Sequence, residues 1–123
     1  MKQISLTLLL GSILVILFDT FASITSLHFQ IDYTLFSAGS NFIYAYTGFY
    51  CAKYGSLLWS IVGAGVVGLV DSTIGWYISW LIGPGRPEIE MNSVEIFTTM
   101  IFVSLTAMPF GLIGGLFSRW LNR

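Results

Sequence analysis

Apolar positions in this chain gather into four long runs broken by short polar links. Residues 4–25 carry no charge but Asp19, residues 34–52 carry none, residues 57–82 carry only Asp71, and residues 96–118 carry none. About 20 apolar residues, rising about 1.5 Å each, cross the roughly 30 Å hydrocarbon core of a bilayer, so each run predicts one spanning helix. The first link, residues 26–33, holds His28 and Asp32. The second is the tight turn Lys53-Tyr54-Gly55-Ser56. The third opens with Gly83-Pro84-Gly85-Arg86-Pro87, where proline lacks a donor and glycine tolerates the reversal, and continues through Glu88 and Glu90 to Glu95. A secretory leader competes for the first run, since Lys2 precedes it and it ends near Ala22-Ser23. That run is longer than the usual ~7–15-residue apolar region, contains an acid, and is closed by no A-x-A site, so it reads as a crossing.

Small residues recur along these runs at helical steps. Ala64, Gly68, Asp71 and Gly75 follow one another at steps of four, three and four, and so share one face. In the second run Ala38, Asn41, Ala45, Gly48 and Ala52 do the same. Such faces suit close helix–helix contact, and these two are expected to meet each other. Gly111, Gly114 and Gly115 provide a packing face in the fourth run, with small-xxx-small spacing between Gly111 and Gly115. Pro109 is expected to bend that helix and to leave the Leu105 carbonyl without its usual bond.

Composition narrows the class. Of 123 residues, 55% are hydrophobic and only 9% are charged, against about 25% charged in an ordinary soluble domain. The expected fold is an all-α integral membrane protein with residues 1–123 as one four-helix domain and the lipid bilayer as its surroundings. Five Lys and Arg scattered along the chain make no nucleic-acid footprint. One Cys and one His leave no internal disulfide and no His/Cys zinc site, and Cys51 reads as a packed thiol. No nucleophile–base pair or phosphate-binding glycine loop is present, so neither an enzyme nor a cofactor is expected. Lys2, Lys53, Arg119 and Arg123 fall on one side of four crossings and only Arg86 on the other. By the positive-inside rule both termini are cytoplasmic, in a plasma or inner membrane. Tyr33, Tyr54, Trp59, Trp80 and Trp120 lie near helix ends, as interfacial aromatics do, whereas Trp76 and Tyr77 lie deeper.

The chain also resembles itself. Residues 11–24 align without a gap on residues 63–76, pairing Gly11 with Gly63, Val15 with Val67, Leu17 with Leu69 and Asp19 with Asp71. Residues 42–54 align on residues 108–120, pairing Tyr44 with Phe110, Gly48 with Gly114, Lys53 with Arg119 and Tyr54 with Trp120. Two tandem helical hairpins, residues 1–54 and 55–123, are therefore expected, related by a pseudo-two-fold axis along the membrane normal. Counting about 1.5 Å per residue, Asp19 and Asp71 both lie roughly 20 Å above the cytoplasmic ends, with Ser40, Asn41 and Thr106 near the same level. A polar layer of two acids, hydroxyls and an amide follows.

No Lys, Arg or His shares that depth. Two neighbouring carboxylates in a low dielectric cannot both stay ionised cheaply, so they share a proton, hold a cation or touch water. Each is a basis for permeation, and the expected function is an oligomeric transporter or channel for protons, ions or a small solute. The competing function is a non-catalytic subunit or scaffold of a larger membrane complex, its acids protonated and bonded to neighbouring helices. Such interhelical bonds average only about 0.6 kcal/mol, a weak reason to keep an acid in a membrane. His28 and Asp32, four apart in an outer link, read as solvated groups before they read as a metal site. Arg86, Glu88, Glu90 and Glu95 likewise read as a solvated link.

Overall fold

The computed structural model describes residues 1–87 and 89–123; Glu88 lies outside the described residues. The chain forms α1 (Lys2–Phe29), a 3₁₀ turn (Tyr33–Phe36), α2 (Ser37–Tyr54), α3 (Leu57–Val70), a π-helical segment (Asp71–Gly75), α4 (Trp76–Ile82) and α5 (Ser93–Leu121), with no strand among the described residues. α3, the π segment and α4 follow one another without a break. Three helical stretches are long and apolar enough to cross a membrane: α1 with 28 residues, Leu57–Ile82 with 26, and α5 with 29. α2 does not stand among them, because its 18 residues include Ser37, Ser40, Asn41, Thr47 and Lys53. It packs against α1, α3 and α5, whereas the backbones of α1 and α5 stay apart among the described residues. A helix covered on three sides needs less apolar surface of its own.

Local chemistry sets the helix ends. α1 runs past Thr25 and takes in His28, stopping where Gln30 turns left-handed at φ 53°, beside a bond from the Ser26 hydroxyl to the Ile31 carbonyl. α5 starts before Ile96 because Asn92 and Glu95 form a reciprocal capping box: the Glu95 N–H donates to Asn92 Oδ1 at 2.9 Å, and the Asn92 N–H to Glu95 Oε2 at 3.1 Å. α4 ends at Gly83, whose φ of 133° suits a residue without Cβ. Pro109, at an exposed position, does not interrupt α5.

Burial is inverted relative to a water-soluble bundle. Leu17, Phe21, Phe42, Phe97, Phe102 and Ile113 are exposed, while the interior holds Gly, Ala, Ser and Thr around the cluster Val15, Tyr44, Ala64, Val67 and Ala107. Water would not tolerate so continuous an apolar surface, but lipid does, and inside a membrane helices associate by close packing of small residues. These helices support a membrane location. Several buried hydroxyls are satisfied within their own helices: Thr7 donates to the Gln3 carbonyl, Ser23 to the Asp19 carbonyl, Thr47 to that of Ile43 and Ser60 to that of Leu57, whereas the Ser79 hydroxyl is buried without a partner among the described residues. A polar interior of this kind leaves few bonds to be found across helices.

Glycine contacts give the arrangement. Gly11 meets Thr47 and Val67, Gly63 meets Cys51, and Gly68 meets Ala107 and Ser104. Gly111 meets Ala64 and Ser60, and Gly115 meets Ser60. Sequence neighbours therefore run antiparallel, with α1 parallel to α3 and α2 parallel to α5. One expectation is corrected. The Gly48 face of α2 meets α5, not the Gly68 face of α3, which also packs on α5. A Cβ on Gly48 would collide with the Gly111 backbone, and one on Gly114 would fall 2.7 Å from the Ala45 carbonyl carbon. Small residues one turn apart on both helices let α2 and α5 touch backbone to backbone. Ala38, counted in the α2 stripe, is exposed.

Gly48→Ala should therefore destabilise the protein by about 1–3 kcal/mol, because the new methyl meets backbone that cannot step aside. At Gly63 the obstruction is the Cys51 sulfur at 2.7 Å, a side-chain atom that can shift. Thermal unfolding in detergent is expected to lower Tm more for Gly48→Ala than for Gly63→Ala.

Candidate functional site

Asp19 reaches the interior because it continues the inward face of α1, four residues on from Val15 and eight from Gly11. Asp71 reaches it from the other side, at the first position of the π segment. There the Trp76 N–H donates to the Asp71 carbonyl, five residues back, instead of the usual four. Hydroxyls take up the loosened acceptors: Thr73 donates to the Leu69 carbonyl at 2.7 Å, and Ser72 to the same carbonyl at 3.2 Å. A widened turn thus sits where the acid does, satisfied by its own neighbours.

Gly75 completes the seat. A Cβ on it would lie 3.1 Å from Asp19 Cγ and 3.2 Å from Asp71 Oδ1, so the missing side chain is the space in which the two acids meet. Gly75, expected from its stripe at a helix contact, lies where α1 meets the π segment, and what it admits there is a carboxyl group. The two carboxyls are within hydrogen-bonding reach of each other. Each is also held by a phenol. The Tyr44 hydroxyl donates to Asp71 Oδ2, and the Tyr33 hydroxyl makes a long bond, 3.5 Å, to Asp19 Oδ1. Asp19 is 4% exposed, and its Oδ2 is buried with no donor beside it among the described residues.

The pair opens on a cavity of ≈ 440 Å³. Phe18 and Asp19 of α1 form one wall, and Asp71, Ser72 and Trp76 form the next. α2 supplies Ser40, Asn41 and Tyr44, the 3₁₀ turn Tyr33 and Phe36, and α5 Thr99, Val103 and Thr106. Among the described residues no Lys, Arg or His lines it. The structure brings five residues singled out from the sequence to this one cavity: Asp19, Asp71, Ser40, Asn41 and Thr106. Gly48, Gly68, Gly111 and Gly115 lie away from it, at helix contacts. His28 and Asp32 are not brought together as a site. Asp32 Oδ1 accepts from both the N–H and the hydroxyl of Thr34, which hold its carboxyl below the usual carboxylate range. No group of three His, Cys, Asp or Glu that would hold a metal occurs among the described residues.

Sequence reasoning missed Tyr33, Tyr44 and the π segment. Tyr44 was within reach, since Ser40, Tyr44, Thr47 and Cys51 follow one another at steps of four, three and four. Compared with known protein families, with curated proteins and with solved structures, the chain matches none. What it does has to be read from the carboxyl pair and its surroundings.

Removing a phenol that bonds a buried acid leaves a polar atom unpaired, at a cost of about 1–3 kcal/mol. Tyr44→Phe is expected to lower thermal stability by that order, and Tyr33→Phe, which loses a longer bond, by less. Scanning calorimetry of both variants in the same detergent checks the ranking.

Proposed function

We propose that the protein is a small membrane transporter or channel whose working group is the carboxyl pair Asp19–Asp71, binding one proton or one cation. The carrying observation is Asp19 Oδ2, buried beside Asp71 without a donor. A buried acceptor is rarely left unpaired, and a proton shared between the two carboxyls supplies the missing bond. The shared proton leaves a single negative charge, facing a cavity without a basic residue. An intramembrane acid of this kind is costly, and such acids mark ion and proton pathways.

The same reading takes α2 as a fourth crossing, since 18 residues span about 27 Å at about 1.5 Å each. Two hairpins related by a pseudo-two-fold axis are supported by the α2–α5 contact. The repeat pairs Gly48 with Gly114 and, by the same offset, Ala45 with Gly111. It therefore exchanges the Gly48–Gly111 contact with the Gly114–Ala45 contact, as a two-fold interface does. Both termini are cytoplasmic in a plasma or inner membrane by the distribution of Lys and Arg. The expected working unit is a homo-oligomer, its small-residue and apolar outer faces meeting those of further copies. No catalysed reaction is part of this reading.

The second reading, a non-catalytic subunit of a larger membrane complex, draws on the short links and the small-residue faces. Native mass spectrometry of gently extracted protein separates the two, because a stoichiometric larger partner would favour the subunit.

Purified protein in vesicles with a trapped pH-sensitive or cation-sensitive dye is expected to carry protons or cations down an imposed gradient. Asp19→Asn, Asp71→Asn and the double variant should fall to the rate of protein-free vesicles. Wild-type flux in all three would sink the proposal.

A further inference from the structure

Resting on the carboxyl-pair reading, we propose that the cavity binds an organic monocation: a protonated amine attached to a compact apolar or aromatic group. Four observations carry this. The first is sign, since the walls hold two acids and no basic side chain, so an anion would be repelled and a cation drawn in. The second is charge number. With Asp19 Oδ2 turned to Asp71 and away from any other donor, the pair keeps one proton between its members and presents one negative charge. A single positive charge balances it.

The third observation disfavours a bare metal ion. Hard cations take about six or more oxygens that point lone pairs at them. Here a phenolic O–H points at each acid, Tyr33 at Asp19 and Tyr44 at Asp71, and each donor occupies acceptor capacity that a metal would need. An ammonium group is served differently, because it donates its own N–H bonds to the remaining carboxylate oxygens.

The fourth is shape. A volume of ≈ 440 Å³ falls in the range of roughly 300–1,000 Å³ found for small-molecule pockets and far exceeds what one ion needs. The walls beside the acids are aromatic. Phe18 and Phe36 meet edge to face with centroids 6.4 Å apart, and Tyr33, Tyr44 and Trp76 complete that side. Ring faces attract an ammonium or its N-alkyl groups, and more strongly where water is excluded. The ligand's charged end is therefore matched to Asp19 and Asp71, and its apolar body to the rings.

The test uses full-length protein in lipid nanodiscs with phenethylamine, a cation at neutral pH, and 2-phenylethanol, its neutral counterpart of similar shape. Calorimetry reports binding. Phenethylamine is expected to bind saturably and about 30-fold or more tightly than the alcohol. Asp19→Asn with Asp71→Asn should abolish that difference. Val103→Trp, which fills the cavity from α5, should abolish amine binding altogether; Phe18→Trp repeats the test from α1 if that variant does not fold. Equal binding of amine and alcohol would overturn the inference, as would unchanged amine binding in the Asn double variant. Binding of sodium or potassium alone would also overturn it. Proton flux through the wild-type protein without amine binding would remove the organic ligand and leave the carboxyl-pair pathway standing. Absence of both flux and amine binding would remove the two together.

Discussion

A carboxyl group in the place of a side chain is the constraint on which this architecture depends. Asp19 projects from α1 into the volume that any residue other than glycine would fill at position 75. The fit joins α1 to the π segment and brings two acids into one low-dielectric pocket. Two phenols then follow, one from the 3₁₀ turn and one from α2, because buried carboxyls need donors. The four parts of the chain converge here on a chemical requirement rather than on an apolar core, and the small residues elsewhere let the helices come near enough to meet it.

Much of this could be read from the residues alone. The alternation of long apolar runs with short polar links announces helices in a membrane, and steps of three and four mark packing faces on α2, α3 and α5. Both acids and the hydroxyl and amide groups around them were legible, because a charge in an apolar run has few places to go. Partner choice was not legible. Gly48 and Gly68 lie on similar faces, and only the spatial order of the helices decides that both meet α5. Helix ends were missed where side chains extend the helix, as Asn92 and Glu95 do at α5. Nor does composition announce a π turn: Asp71, Ser72 and Thr73 sit in an ordinary α pattern, and the wider turn shows only in which carbonyl the Trp76 N–H finds.

The interior is polar without being networked. Most buried Ser and Thr hydroxyls return to a carbonyl of their own helix, and bonds between helices are few: Ser104 to the Gly65 carbonyl, Ser72 to Met100, and the two phenols at the acids. Lipid gives no hydrophobic push between helices, so close backbone approach supplies most of the attraction. Tight contact between α2 and α5 near Gly48 and Gly111 then sets the spacing of everything beyond it. The cavity occupies the level at which those helices carry Asn41 and Thr106 instead of glycine.

The π segment decides how the site responds to a change of chain length. Its wide turn holds one residue more than an α turn yet leaves the helix beyond it facing the same way, so losing one residue between positions 71 and 75 would return the turn to α geometry with α4 still on its present face. Trp76 and Ser79 would keep their directions. Successive residues of an α-helix differ in direction by about 100°, so a residue lost from α3 instead would turn everything beyond it and carry Asp71 and Trp76 away from the cavity together. The stretch that seats the acid is thus also the one place in this helix where a change of length leaves the far end in register.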